Sequence, residues 1–373
     1  MATIIDVADV RVDQIRILHA RVPLQNPVRL GNAVIALRDY VCVEITLTSG
    51  EKGYATGYER NLPLFEVTQT AARSYIGATA SRRAAPKLAA LGATPAPRAT
   101  MVRGASLCDI ALTDAWCKHL GQPLWAVLGG VRDRVPVMPV IGYGMSADLA
   151  ASQGGDLCKR GFRNIKLMID GNNIDEDRTV IEALSGALPK GHGFGIDAHW
   201  SWKNLAEALP YCRMAESLGT RFIEDPFAPT QWRAIEELSR KLDTPLAVGE
   251  DVIDLQGFRD VAQCGGILRI DASVSGGISG AADAVVLAKA QNLPVIPHVF
   301  PFLHAHIAFA NETVEAVEMI MPEVGADPIY DFYTHYPVIE NGELLADTKP
   351  GAGTDINWEA LAKYSIKQES MKL

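Results

Sequence analysis

IKLM (165–168), GFGIDAH (193–199), RFIED (221–225), LAVGED (246–251), ILRID (267–271), LPVIPH (293–298) and TVEAVE (313–318) repeat one event, a short apolar run that leads to a charged or imidazole side chain. The side chains reached are Lys166, Asp197, Glu224, Glu250, Asp271, His298 and Glu318, and they stand 31, 27, 26, 21, 27 and 20 residues apart. Such an interval is about the length of one strand plus one crossover helix. The series predicts a (β/α)8-type barrel, an α/β fold whose active site gathers at the carboxyl ends of the strands.

At 373 residues the chain exceeds one barrel of roughly 200 residues, so a second domain is expected. Residues 13–24, 40–50 and 52–59 read as strands with alternation, and 64–76 and the region near 97–107 as helices, which makes the first part α+β. Within it, PLQNPVRLGNAV (23–34) and GYERNLPLF (57–65) read as loops of the kind that form lids. A helix from Ser106 closes at Gly121 and Pro123. The expected division is 1–126 for the α+β domain and 127–320 for the barrel. The remaining 321–373, with short strands in 335–348 and a helix at 357–364, is expected to pack back on the first domain.

Composition is that of an ordinary soluble enzyme, with 48% hydrophobic and 21% charged residues. A net charge of −9 gives no reason to expect nucleic acid as a partner. Cys42, Cys108, Cys117, Cys158, Cys212 and Cys264 are far apart, with no CxxC pair and no histidine at zinc spacing, and read as reduced core thiols of a cytoplasmic protein. MATIIDVADV (1–10) lacks an export signature and no stretch has the length of a spanning helix, so neither export nor membrane insertion is expected.

Asp197, Glu224 and Glu250 close three successive apolar runs. Three oxygen ligands from neighbouring strands suit a hard divalent cation, with Mg²⁺ the usual choice. One acidic strand end is commonplace; three in register are not.

Together these stretches make the chain resemble the enolase superfamily, and within it the mandelate racemase-like group, over essentially its full length. The resemblance rests on GF-x-x-x-K (161–166), on Asp197, Glu224-Asp225-Pro226 and Gly249-Glu250, and on Asp271 followed by GGIS (276–279). His298 one strand later and the helix-bearing stretch 109–130 complete it. It implies a capping domain over the barrel, a symmetric homo-oligomer, a small-molecule carboxylate substrate, and abstraction of the proton α to that carboxylate through a Mg²⁺-stabilised enediolate. It further implies that Glu318 donates a hydrogen bond to the substrate carboxylate, with Glu315 the weaker claimant.

A proton α to a carboxylate is very weakly acidic, so a base must be in place and the enolate must be stabilised. His298 is the candidate base, Asp271 would fix its tautomer, and Lys166 adds positive charge beside the substrate carboxylate. Residues two apart on a strand share a face, so Met168 points where Lys166 does. The family usually has a second lysine there as base for the opposite substrate face. Methionine takes no proton, which points away from two-base racemisation; one-base chemistry in the resembled group typically means β-elimination, so the resemblance implies dehydration of a sugar acid to a 2-keto-3-deoxy acid. His199 shares the inward face with Asp197, where much of the family has asparagine. It would protonate the leaving hydroxyl, bind a substrate hydroxyl or support the metal ligands. Tyr143, Trp200, Arg29 and His304 are candidate pocket residues, with His306 a further one, against the plainer readings of packing, helix capping and solvation. The rival readings are a one-base epimerase or cycloisomerase, and a barrel that binds a sugar acid without turnover.

Overall fold

The computed structural model describes residues 10–30, 33–92 and 95–373. The stretch 1–10 read for export lies, but for Val10, outside the described residues, as do Gly31 and Asn32 of the first expected loop.

Strands β1 (Val12–Leu30), β2 (Ala33–Leu47) and β3 (Lys52–Tyr58) form an antiparallel sheet. Against it lie helices α1 (Leu64–Ala72) and α3 (Pro95–His119), with α2 (Ala84–Leu91) and the single turn α4 (Leu124–Val127) packed on α3. The close fit of β3 on α3 demands glycine at position 53, where an added Cβ would fall 2.0 Å from the Ala111 carbonyl oxygen. The loop expected at 23–34 is instead largely strand. β1 and β2 continue past a register shift between Pro23 and Val28 and pair again through Val28–Ile35 and Arg29–Val34, because Val28, Val34 and Ile35 extend the β-prone pattern across the Pro/Asn interruption.

Parallel strands β4 (Arg134–Ile141), β5 (Asn164–Met168), β6 (Gly193–Asp197), β7 (Ile223–Glu224), β8 (Leu246–Val248) and β9 (Ile267–Leu268) pair in chain order. The ladder continues through single parallel bridges, Leu268 to Val295 and Val295 to Val314, and closes where β10 (Val317–Ile320) pairs with β4. Eight strand positions thus make a closed barrel. Its β6, GFGID, is buried at every residue, as a strand covered on both faces must be. Helices α5 (Ala147–Lys159), α6 (Ile174–Ala187), α7 (Leu205–Ser217), α8 (Trp232–Ser239), α9 (Leu255–Ala262), α10 (Gly277–Ala290) and α11 (Pro301–Ala310) alternate with the strands. Ser146, Asn173, Asn204 and Asp254 start four of them by accepting from backbone N–H groups of the first turn.

The C-terminal segment goes two ways. The hairpin of β11 (Ile339–Glu340) and β12 (Glu343–Leu345) pairs antiparallel with β4 at the start of the barrel. After α12 (Trp358–Ala362), β13 (Ser365–Lys372) becomes an edge strand beside β1. All six cysteines are buried and free. No helix among the described residues is long and apolar enough to cross a membrane.

Candidate active site

The carboxyl ends of the barrel strands open into a cavity of about 660 Å³ that is roofed by residues of β2 and by the loop following β3. The backbone there is strained. Tyr143 after β4, His199 and Trp200 after β6, Asp225 after β7, and Val299 and Phe300 after the seventh strand position all have φ between 42° and 58°. Left-handed backbone is costly for non-glycine residues, most of all for β-branched Val299, so tertiary packing must hold these turns. Before Glu250 the demand is met by glycine: Gly249 has φ +132°, and a Cβ would meet the Arg269 carbonyl oxygen at 2.6 Å.

Lys166 is the hub. Its ammonium lies 2.9 Å from Asp197 Oδ2, 2.9 Å from Glu224 Oε1 and 2.7 Å from Glu318 Oε2. Burial alone would lower its pKa, but these three carboxylates hold it well above the ordinary value. Beneath it, Arg269 is fully buried and bonds Glu224 Oε1 at 3.0 Å and Glu318. Against the opposing effect of burial, Arg269 and Lys166 bring Glu318 down to about 2. Glu315 is exposed, so Glu318 is the strand-end acid that enters the site.

His298 Nδ1 lies 2.9 Å from Asp271 Oδ2. Asp271 also accepts from the backbone N–H and hydroxyl of Ser273. Burial would raise the pKa of Asp271, but the hydrogen bond and charge of His298 outweigh it and keep Asp271 well below the carboxylate range. Met168 lines the cavity beside Lys166. His199 stacks on Trp200 with ring centroids 4.3 Å apart, and burial holds its pKa below the ordinary value against the pull of Glu250 and Asp197. The indole N–H of Trp200 is buried with no hydrogen-bond partner.

Glu224, Asp225 and Glu250 each bring an oxygen within 4.8 Å of the others'. Glu224 Oε2 and both oxygens of Asp225 are buried with no hydrogen-bond partner, an arrangement that a divalent cation would satisfy. Burial, then the charges of Glu250 and Glu224, raise the pKa of Asp225 well above its usual value. Asp197, expected as the third ligand, stands outside that group: Oδ2 is taken by Lys166, and Oδ1 accepts from the His199 N–H at 2.9 Å.

Of the pocket candidates, Tyr143 and Trp200 line the cavity together with His199. Two do not. Arg29 borders a separate hollow with Gly144 and Asp170, its side chain 61% exposed and 3.9 Å from Asp170 Oδ2. His304 is buried in α11, donating from Nδ1 to the Val299 carbonyl at 2.7 Å and accepting at Nε2 from the Ala272 N–H at 3.0 Å, which leaves neither ring nitrogen for a ligand. His306 likewise accepts a backbone N–H, from Trp125.

Several residues escaped the sequence reading. Arg269 lies two residues before Asp271 in ILRID, so the period-two rule applied to Met168 and His199 would have turned it inward. Arg60, in the loop after β3, bonds Glu250 Oε1 at 3.1 Å and Asp251 Oδ1 at 3.0 Å. Arg103 of α3 shares Asp251 at 2.5 Å, and Arg38 and Tyr58 complete the roof. No local pattern announces these, because they arrive from another sheet and helix.

Residues 149–360 match the family model described as enolase C-terminal domain-like. The chain is 30% identical over 275 residues to a D-galactonate dehydratase of Verminephrobacter eiseniae, covering 68% of this chain and 71% of that protein. It is 24% identical over 273 residues to the N-succinyl-L-Arg/Lys racemase of Bacillus cereus, covering 71% and 72%. In three dimensions it matches the L-talarate/galactarate dehydratase of Salmonella typhimurium, crystallised with Mg and L-lyxarohydroxamate, with a TM-score of 0.86 at 21% identity over 98% of this chain and 95% of that one.

Proposed function

The chain belongs to the enolase superfamily, and from that premise we propose that it is a Mg²⁺-dependent dehydratase that converts a sugar acid to its 2-keto-3-deoxy acid. The observation that carries the reading is the asymmetry of the cavity: an Asp271-supported imidazole at His298 and, beside Lys166, a methionine that accepts no proton. That suits removal of one proton followed by loss of a leaving group.

Glu224 and Glu250 would hold the cation, with Asp197 on the strand paired to that of Glu224, and Asp225 lying in the same acidic group. Mg²⁺, when bound, supplies positive charge to the substrate carboxylate as that group gathers negative charge. His298 takes the α-proton at Nε2 while Asp271 accepts from Nδ1–H and steadies the imidazolium. The Lys166 ammonium lies against the same carboxylate. Glu318 can donate to it only when protonated, which an arriving anion favours by adding negative charge to the site. The C–O bond at the β-carbon then breaks, and hydroxide leaves as water with a proton from His298 or His199. The enol tautomerises to the 2-keto acid. The reading requires only a small carboxylate as partner; a cytoplasmic homo-oligomer accords with it.

The test is a screen of the purified protein with Mg²⁺ against mono- and diacid sugars, with semicarbazide to detect 2-keto acid. A hit that disappears with chelator and in His298→Asn supports the proposal. Solvent deuterium at the α-carbon without loss of water would replace it with one-base epimerisation, and binding of acids with neither reaction would replace it with a silent barrel.

A further inference from the structure

Resting on the dehydratase reading, the charges around the cavity narrow the class of acid. Four cationic side chains line it: Lys166, Arg60, Arg103 and Arg38. The first three are matched within the protein, Lys166 by three carboxylates, Arg60 by Glu250 and Asp251, and Arg103 by Asp251.

Arg38, on β2, is different. Its Nε donates to the Ala326 carbonyl at 2.8 Å, and its guanidinium lies over the Tyr58 ring, 5.4 Å from the centroid. Neither terminal nitrogen has a bonded partner among the described residues. Asp327 is near enough to act on Arg38 electrostatically, yet it accepts from the hydroxyls of Tyr40 and of Tyr58, the latter at 2.6 Å. The acid therefore fixes the ring that supports the guanidinium and leaves the guanidinium's outer edge free.

A planar cation pinned by a ring face and a carbonyl presents two parallel donors, the geometry that suits a carboxylate. Half-buried and without a bonded anion, it loses hydration that a ligand anion would replace. The reacting carboxylate belongs at Lys166 and the acidic group of the barrel floor. Arg38 stands apart from these in the roof, and Tyr143 lies within electrostatic reach of both cations. We propose that the substrate is a polyhydroxy dicarboxylic acid whose second carboxylate is bound by Arg38.

The experiment compares sugar diacids with monoacids of the same length and configuration, in turnover and in calorimetric binding with Mg²⁺, for the native chain, Arg38→Met and Arg38→Lys. The native chain should prefer the diacid. Arg38→Met should lower kcat/KM for the diacid about 100-fold more than for the monoacid, mainly through KM, the scale expected when a bidentate charged pair is lost. Arg38→Lys keeps the charge and the apolar stem but not the fork, and should fall between; it carries the test if the methionine variant does not fold. A native preference for monoacids, or equal losses on both acids, would overturn the proposal while leaving dehydration standing. Diacid binding that depends on Arg38 with no keto acid formed would support the subsite and overturn the dehydratase reading. Absence of diacid binding would overturn the subsite itself.

Discussion

Arg60 reaches from the loop after β3 to place a guanidinium nitrogen 3.2 Å from Nε2 of His298. A guanidinium can only donate, so this contact favours a lone pair on Nε2 with Nδ1–H toward Asp271, while Glu250 Oε2, 3.2 Å from the same nitrogen, accepts from it once Nε2 is protonated. Arg60 and Asp271 thus favour the tautomer of a base, and Glu250 stands where it can accept from the imidazolium.

Replacing His298 by asparagine should lower kcat by about 10²- to 10⁴-fold, the usual span for a general base. His298 is 7% exposed and asparagine keeps a polar group beside Asp271, so the melting temperature and Mg²⁺ binding should change little. Near-native turnover in stopped assays would remove His298 from the role of base.

Asp271→Asn offers a donor where Nδ1–H needs an acceptor, and so favours the wrong tautomer. We expect kcat to fall by about 10³-fold or more with KM little changed, by the reasoning that applies to any buried acid supporting a histidine base. A loss confined to KM would mean that Asp271 serves binding alone.

The native chain, with Met168, should turn over its acid without any change at that position. Met168→Lys places a second ammonium in a cavity wall already holding Lys166, and should lower stability by about 1–3 kcal/mol through the cost of a buried, poorly paired charge. If only the lysine variant produced keto acid, the native protein would be a decayed enzyme.

Because buried oxygens of Glu224 and Asp225 lack partners, Mg²⁺ should stabilise the fold as well as permit turnover. At one hundred times its Kd the gain is about 2.7 kcal/mol, read as a rise in Tm that chelator reverses. An unchanged Tm across a Mg²⁺ titration would argue against a metal at this cluster.

His306, 6% exposed and accepting the Trp125 N–H, is held by burial at a pKa of about 4, below its ordinary 6.5. Between these values the unfolded chain binds the proton and the folded one does not, so stability falls as pH drops through that window. The loss approaches about 3 kcal/mol near pH 4. His306→Gln, denatured in urea at pH 7 and pH 5, should show a smaller pH difference than the native chain; an equal difference would place the acid sensitivity elsewhere.

From the amino-acid order alone came the barrel, the family, and the side chains that end the strands, because a period near one βα unit forces every strand end to the same rim. Lys166, Asp271, His298 and Glu318 could be assembled on paper for that reason, and Met168 could be set beside Lys166 because strand alternation is strict. Tertiary structure decided what no period encodes. It buried Arg269 between Glu224 and Glu318, buried Asp225 on a strained turn, and tied Asp197 to Lys166. His304 went into the core and Arg29 to a neighbouring hollow, and Arg38 and Arg60 came from the other sheet to the mouth. Strand ends are placed by local periodicity, whereas the partners of a buried charge are chosen by whichever elements pack against it, and those lie far away in the chain.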